Sequence, residues 1–181
     1  TRNYLWEDAL DTVLHHTSHV AISIVEGPGK PLEEGILLAK LLSVATEQTG
    51  ANAVYTNGVL YEGTKYHEET EQLRDDMLPM ANMVWVDMDF EEDGTISLST
   101  SGMELFKQLN IELLHCPWDP ERAWNYALTV ADYVLTSGTT VQDGETVGRT
   151  EEEQLTVHID EPVHADGLQS IQILFDDTEE K

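Results

Sequence analysis

Basic residues are what this chain most lacks. Its 181 residues carry 9 Lys plus Arg against 35 Asp plus Glu, a formal charge of −26. The five lysines and four arginines are scattered singly, with no two adjacent. Nucleic-acid binding needs clustered cations that displace counterions from phosphates, so that role is excluded. Docking on an anionic membrane surface fails for the same reason. Cys116 is the sole cysteine, so no intrachain disulfide forms, which fits a reducing, cytoplasmic location. Apolar runs fall well short of the ~20 residues of a membrane span, and no basic-then-apolar signal segment opens the chain. No repeat or interdomain linker stands out.

Enough remains to build a core. Hydrophobic residues make up 40% of the chain, including 4 Trp, 6 Tyr and 3 Phe. The expectation is one α+β domain over residues 1–175, followed by an acidic tail at 176–181. The carboxylates then form a hydrated skin, suited to a saline habitat or to a basic protein partner steered by charge.

Periodicity places the elements. Leu5, Ala9 and Val13, with Leu10 and Leu14, predict an amphipathic helix over Tyr4–His16. His19–Val25 is β-rich and predicts a strand, closed by Glu26-Gly27-Pro28-Gly29. Pro31 opens a second helix with Glu33 and Glu34 in its first turn, and Gly50 stops it. Residues 36–45 of that helix are apolar nearly all round, which predicts burial. Ala51–Tyr55 reads as a strand ending at the Asn57-Gly58 turn, and Tyr66–Met77 as a charged surface helix before Pro79.

Met83–Phe90 alternates Val84, Val86, Met88 and Phe90 against Trp85, Asp87 and Asp89, the pattern of a half-buried strand. Asp93-Gly94 turns it into Ile96–Thr100, and Ile111–His115 is a further strand. Asp119-Pro120 starts a helix whose buried face runs through Trp124, Ala127, Leu128, Ala131, Val134 and Leu135, with Gly138 ending it. Asp143-Gly144 is a turn; Leu155–Ile159 and Ser170–Phe175 close the fold. Runs of hairpins without regular βαβ repetition give α+β, with helices packed on a mostly antiparallel sheet.

Chemical signatures are sparse. His15, His16 and His19 invite a metal site, but Thr17-Ser18 breaks the helix that would align them. His115-Cys116 would need both side chains on one face, which neighbours on a strand do not share. Gly27-Pro28-Gly29-Lys30 lacks phosphate-loop spacing, and no G-x-S-x-G elbow occurs. Acid pairs such as Asp75-Asp76, Glu91-Glu92-Asp93 and Glu151-Glu152-Glu153 arise by chance among so many carboxylates. No catalytic residue, metal ligand or cofactor is assigned.

Several blocks in order are similar to a known family. They are Asn3-Tyr4-Leu5-Trp6, HVAISI, residues 32–37, Val54-Tyr55-Thr56-Asn57-Gly58, Leu78-Pro79 with Val84-Trp85, Ser101-Gly102-Met103 and residues 143–148. From about Asn3 to Phe175 the chain resembles the family called domain of unknown function 4261. The resemblance implies a soluble α+β domain without an established activity, and a further segment before the NYLW block. It also implies a loose association with secretion or toxin–immunity genes. A partial likeness of Trp124–Thr136 and its following turns to the suppressor-of-fused superfamily implies a binding module.

The expected function is therefore a non-enzymatic interaction domain whose acidic surface meets a protein partner, a basic toxin or effector in the immunity setting. One alternative is a small-molecule or hydrolytic site at strand ends, lined by Tyr55, Asn57, Trp85 and Glu145. The other is a structural subunit of a larger assembly, docking through Trp85 and a sheet edge. Oligomeric state is left open.

Overall fold

A computed structural model describes residues 5–25, 30–138, 140–148 and 155–175. The chain falls into two compact units, 1–83 and 84–181. The predicted turn at residues 26–29, the acid run Glu151–Glu153 and the tail at 176–181 lie outside the described residues, as do Asn3 and Tyr4.

In the first unit, helix α1 (Ala9–Leu14) is shorter than the period predicted, because Leu5 to Asp8 form turns before it. Leu10 and Leu14 lie on its exposed side. His19–Val25 is a correction: the segment has no regular structure, and Val20 and Val25 are exposed. β-branched composition favours a strand only where a neighbour completes the ladder, and no described strand pairs with it.

Helix α2 (Pro31–Thr49) begins and ends as predicted, with Gly50 capping it in the left-handed region at φ 64°. Its apolar middle is not buried all round, since Leu37, Leu41 and Val44 form an exposed stripe. Ala39, Ser43 and Thr46 face inward instead. Strands β1 (Ala53–Thr56) and β2 (Val59–Glu62) form a two-stranded antiparallel hairpin. Asn57 (φ 51°) and Gly58 (φ 77°) supply the two left-handed residues that a tight hairpin turn requires.

Helix α3 (Gly63–Thr70) packs against α2 and is followed by a 3-10 turn over Glu71–Asp75. The predicted surface helix over Tyr66–Met77 thus divides, and Tyr66 is only 2% exposed. Asn82, in the short helix α4 (Met80–Met83), donates to Tyr66 O at 2.8 Å and Thr70 Oγ1 at 3.0 Å. Met83 is therefore helical and not the first residue of a strand.

The second unit is a six-stranded mixed sheet in the order β3-β4-β5-β8-β7-β6. Its strands are β3 (Trp85–Phe90), β4 (Ile96–Ser101), β5 (Asn110–Cys116), β6 (Thr146–Val147), β7 (Leu155–Asp160) and β8 (Ser170–Leu174). Neighbours run antiparallel except β5 and β8, which are parallel. The α+β class and the mostly antiparallel sheet are as expected. A parallel pair requires a crossover, and helix α5 (Pro120–Ser137) is part of it.

Asp119 caps α5 by accepting a 3.0 Å bond from the Arg122 amide, and Gly138 ends it at φ 65°. Its buried face includes Ala127, Leu128, Ala131, Val134 and Leu135 as predicted; Trp124 is half-buried, and Tyr126 is buried. The predicted alternation in β3 does not hold: Val84, Trp85 and Val86 are all buried, and Phe90 is 74% exposed at the strand's end. In β5 the bulge residue His115, at φ 54°, points outward between buried Leu114 and Cys116.

Candidate functional site

Register separates the sheet into an apolar and a polar face. Met88, Leu98, Leu113, Ile173 and Val157 lie in one cross-strand row. Four of these are buried, and α5 packs against β3, β4 and β5. One residue along, the pairs Asp87–Ser99, Ser99–Glu112, Glu112–Gln172 and Gln172–His158 form a polar row. A charge thus sits on the central strand, and Glu112 is 0% exposed.

Its carboxylate is fully engaged by the chain. Residues 161–169, between β7 and β8, aim three successive amides at it. Val163 N reaches both oxygens (3.1 and 3.0 Å), Ala165 N reaches Oε1 at 2.8 Å, and His164 N also donates to Oε1. Ser170 Oγ donates to Oε2 at 2.6 Å, and Gln172 Nε2 lies 3.3 Å from the same oxygen. Burial pushes this carboxyl up, but bonds from Ser170 and from the His164, Ala165 and Val163 amides outweigh it, so the group is held below its usual range. A carboxylate whose lone pairs are all taken is an anchor and cannot serve as a base or nucleophile without opening the loop.

The loop is held at a second point. His164 Nδ1 lies 3.4 Å from Asp89 Oδ2, and its Nε2 lies 4.0 Å from Glu91 Oε1. Residues 161–169 therefore cross the polar face from the β7–β8 end, over β5, toward β3. Val163 and Leu168 stay 62% and 92% exposed on this strap. Asn110 Nδ2 adds a bond to Asp166 O at 3.2 Å.

The first unit holds a separate feature, an open cleft of about 520 Å³. Trp6, Asp8, Glu47, Glu62 and His67 contribute to its walls, together with Gly63. Glycine is required at its floor: a Cβ on Gly63 would stand 2.2 Å from Ala51 O. That close approach, with the 2.8 Å bond from Gly63 N to Asn52 O, ties the start of α3 to the end of α2. His67 Nδ1 is hydrogen-bonded to Ser43 Oγ at 2.9 Å, which fixes the ring against α2.

Residues 99–174 match a family model described as domain of unknown function (DUF4261). Over that stretch the chain is similar to the DUF4261 family. The DUF4261 segment contains Glu112 and every group that binds it, whereas the cleft lies outside it. Ser101-Gly102-Met103 and residues 143–148 are the family-like blocks inside the match. No curated protein and no solved structure matches the chain.

Of the four residues expected to line a site, Tyr55 and Asn57 belong to the first unit and Trp85 and Glu145 to the second. Tyr55 is 65% exposed on β1, and Asn57 forms the turn two residues on. Trp85 is 4% exposed, with Nε1 donating to Asp87 Oδ1 at 2.9 Å, so its ring is core packing rather than a presented surface. Glu145 accepts from Gln142 N at 2.8 Å beside β6. Trp85 on β3 and Glu145 beside β6 occupy opposite edges of the sheet, five strand spacings or about 24 Å apart.

His15 and His16 bond back to the carbonyls of Asp11 and Val13. Among the described residues, no group of three or more His, Cys, Asp or Glu is placed to hold a metal ion. Cys116 is buried beside exposed His115, and burial pushes its thiol up. The Glu112 anchor escapes a reading of the sequence, where its only signal is one charge inside the apolar run Ile111–Leu114. So does Trp118, which stacks edge-on with Tyr126 (5.1 Å) and Phe175 (4.8 Å) under the Arg122 guanidinium (4.0 Å).

Proposed function

We propose that this chain is a non-enzymatic interaction domain that recruits a basic protein through its acidic surface. The observation that carries the reading is the 35-to-9 excess of acids over bases, combined with where the polar chemistry goes. The one fully buried carboxylate among the described residues, Glu112, is spent on fixing a loop. Other carboxylates stand at exposed positions, such as Glu92 and Asp93 at the β3–β4 turn and Asp75-Asp76 after α3. The strap supports the same reading, since a rigid loop bearing exposed Val163 and Leu168 offers apolar contact at little ordering cost.

Salt dependence tests it. A partner captured from the source cell is expected to be basic, and its association rate to fall at least about tenfold between low and high salt. Charge reversal at Glu92 and Asp75, both exposed, is expected to slow association while leaving the melting temperature nearly unchanged. Partners of neutral charge, or an on-rate indifferent to both salt and reversal, would overturn the proposal.

A further inference from the structure

The second unit carries a groove of about 290 Å³ between α5 and β6. Helical spacing makes one side of it: Tyr126, Thr129, Val130 and Tyr133 stand three and four residues apart and share one stripe of α5. Thr146 and Val147 of β6 line the other side. Tyr126, Val130 and Val147 are buried, whereas Tyr133 is 53% exposed. The Tyr126 hydroxyl donates to Val147 O at 3.0 Å and pins β6 to the helix. Trp118 packs edge-on against the same ring at 5.1 Å, so the groove is held in shape by the chain itself. Its chemistry differs from the rest of the molecule. Charged residues make up 24% of the sequence, yet none of the residues lining the groove is charged. Phosphates, carboxylates and ammonium groups find no counter-charge there, and burying them unpaired is costly. Two phenol rings, two valines and two threonines instead suit a neutral ring, and the volume lies at the lower end for ligand pockets.

We propose that this groove is the anchor pocket for one aromatic side chain of a basic protein partner. The entering ring packs against Tyr133 and covers Val130 and Val147. Rigid aromatic residues seated in a preformed pocket carry much of the binding energy of protein interfaces. Charge complementarity sets what flanks the ring. Asp143 and Glu145, both exposed, lie just ahead of Thr146, so Lys or Arg beside the aromatic residue meets opposite charge outside the groove. The nature of the occupant rests on the recruitment reading above, whereas the pocket itself is tested with a free ring. Charge then governs how fast the partner arrives, and the groove how slowly it leaves.

The test uses the full chain and neutral Nα-acetyl-tyrosine amide, with Nα-acetyl-leucine amide as the control, followed by the ring resonances of Tyr133. Saturable shifts are expected with the tyrosine probe, and binding at least about fivefold weaker with the leucine control. Tyr133→Ala should weaken the probe by about fivefold or more, while Tyr55→Ala, an exposed tyrosine of the first unit, should change it less than about twofold. Thr146→Trp, at an exposed position on the other side, should fill the groove and abolish binding without relying on the helix variant. On a partner captured from the source cell, Tyr133→Ala should raise the off-rate about fivefold or more and leave the salt dependence of the on-rate unchanged. Absence of saturation, equal response to the leucine control, or equal loss in Tyr133→Ala and Tyr55→Ala would overturn the pocket, even where capture stays salt-dependent. Probe binding together with salt-indifferent capture would instead overturn the recruitment reading and, with it, the basic character of the occupant.

Discussion

Replacing Glu112 with Gln keeps the volume and removes the charge, so it isolates the anchor. With the new amide oxygen in the place of Oε1, the side chain still accepts from His164 and Ala165. Those bonds become neutral, and charge-assisted bonds are roughly twice as strong as neutral ones. The new amide nitrogen faces Ser170 Oγ and Gln172 Nε2, which both donate to Oε2 in the native protein. Ser170 can rotate to accept, whereas Gln172 Nε2 is left opposing another donor; it keeps its 2.7 Å bond to Glu161 O. One lost buried partner costs about 1–3 kcal/mol, and the weakened bonds add about 1–2 kcal/mol. The expected destabilisation is therefore about 2–5 kcal/mol, a large share of the roughly 5–15 kcal/mol that holds a domain together. Urea unfolding should show the lower midpoint, and amide exchange at residues 163–165 should accelerate more than exchange in β4. A variant within about 0.5 kcal/mol of the parent, with unchanged exchange in the strap, would refute the anchor.

Three further outcomes follow from the same structure. Because the Glu112 carboxyl lies below its usual 4.5 in the folded state, its contribution is fully present above that value. It is lost as pH falls through the lower folded value, so acid should steepen the loss of stability in the parent relative to Glu112→Gln, measured by urea midpoints from about pH 6 to 3. Gly63→Ala must displace backbone, because the nearest atom to the new Cβ is the Ala51 carbonyl oxygen; a loss of about 2–4 kcal/mol in chemical denaturation is expected. Leu41→Gln, on the exposed stripe of α2, should change stability by less than about 0.5 kcal/mol, whereas a loss above about 2 kcal/mol would mean that the stripe is covered.

Legibility in the sequence follows how local the determinants are. Asp119-Pro120 and Gly138 specify the two ends of α5 with side-chain and backbone chemistry within a few residues, and both are readable. The Asn57-Gly58 and Asp93-Gly94 turns fix two hairpins for the same reason. His19–Val25 behaves otherwise, because a strand needs a partner that composition does not supply. The all-round apolar pattern of α2 does not say which face stays uncovered. Glu112 and its donors lie 51 to 60 residues apart in sequence, so only the tertiary register brings them together. Tyr55, Asn57, Trp85 and Glu145 are polar or aromatic and lie in or beside family-like blocks, and neither property carries a distance.

The parallel join between β5 and β8 also constrains how the second unit is made. Strands β3, β4 and β5 can zip together by short hairpin-like steps as they leave the ribosome, but β8 pairs residues 60 positions apart, such as Ile111 with Ile171. Until that late strand slots between β5 and β7, the sheet exists as two pieces and Glu112 has no donors. During synthesis a bare carboxylate on the waiting edge of β5 keeps that edge wet and discourages it from pairing with a neighbouring nascent chain. The residue that locks the finished fold thus also guards its unfinished form.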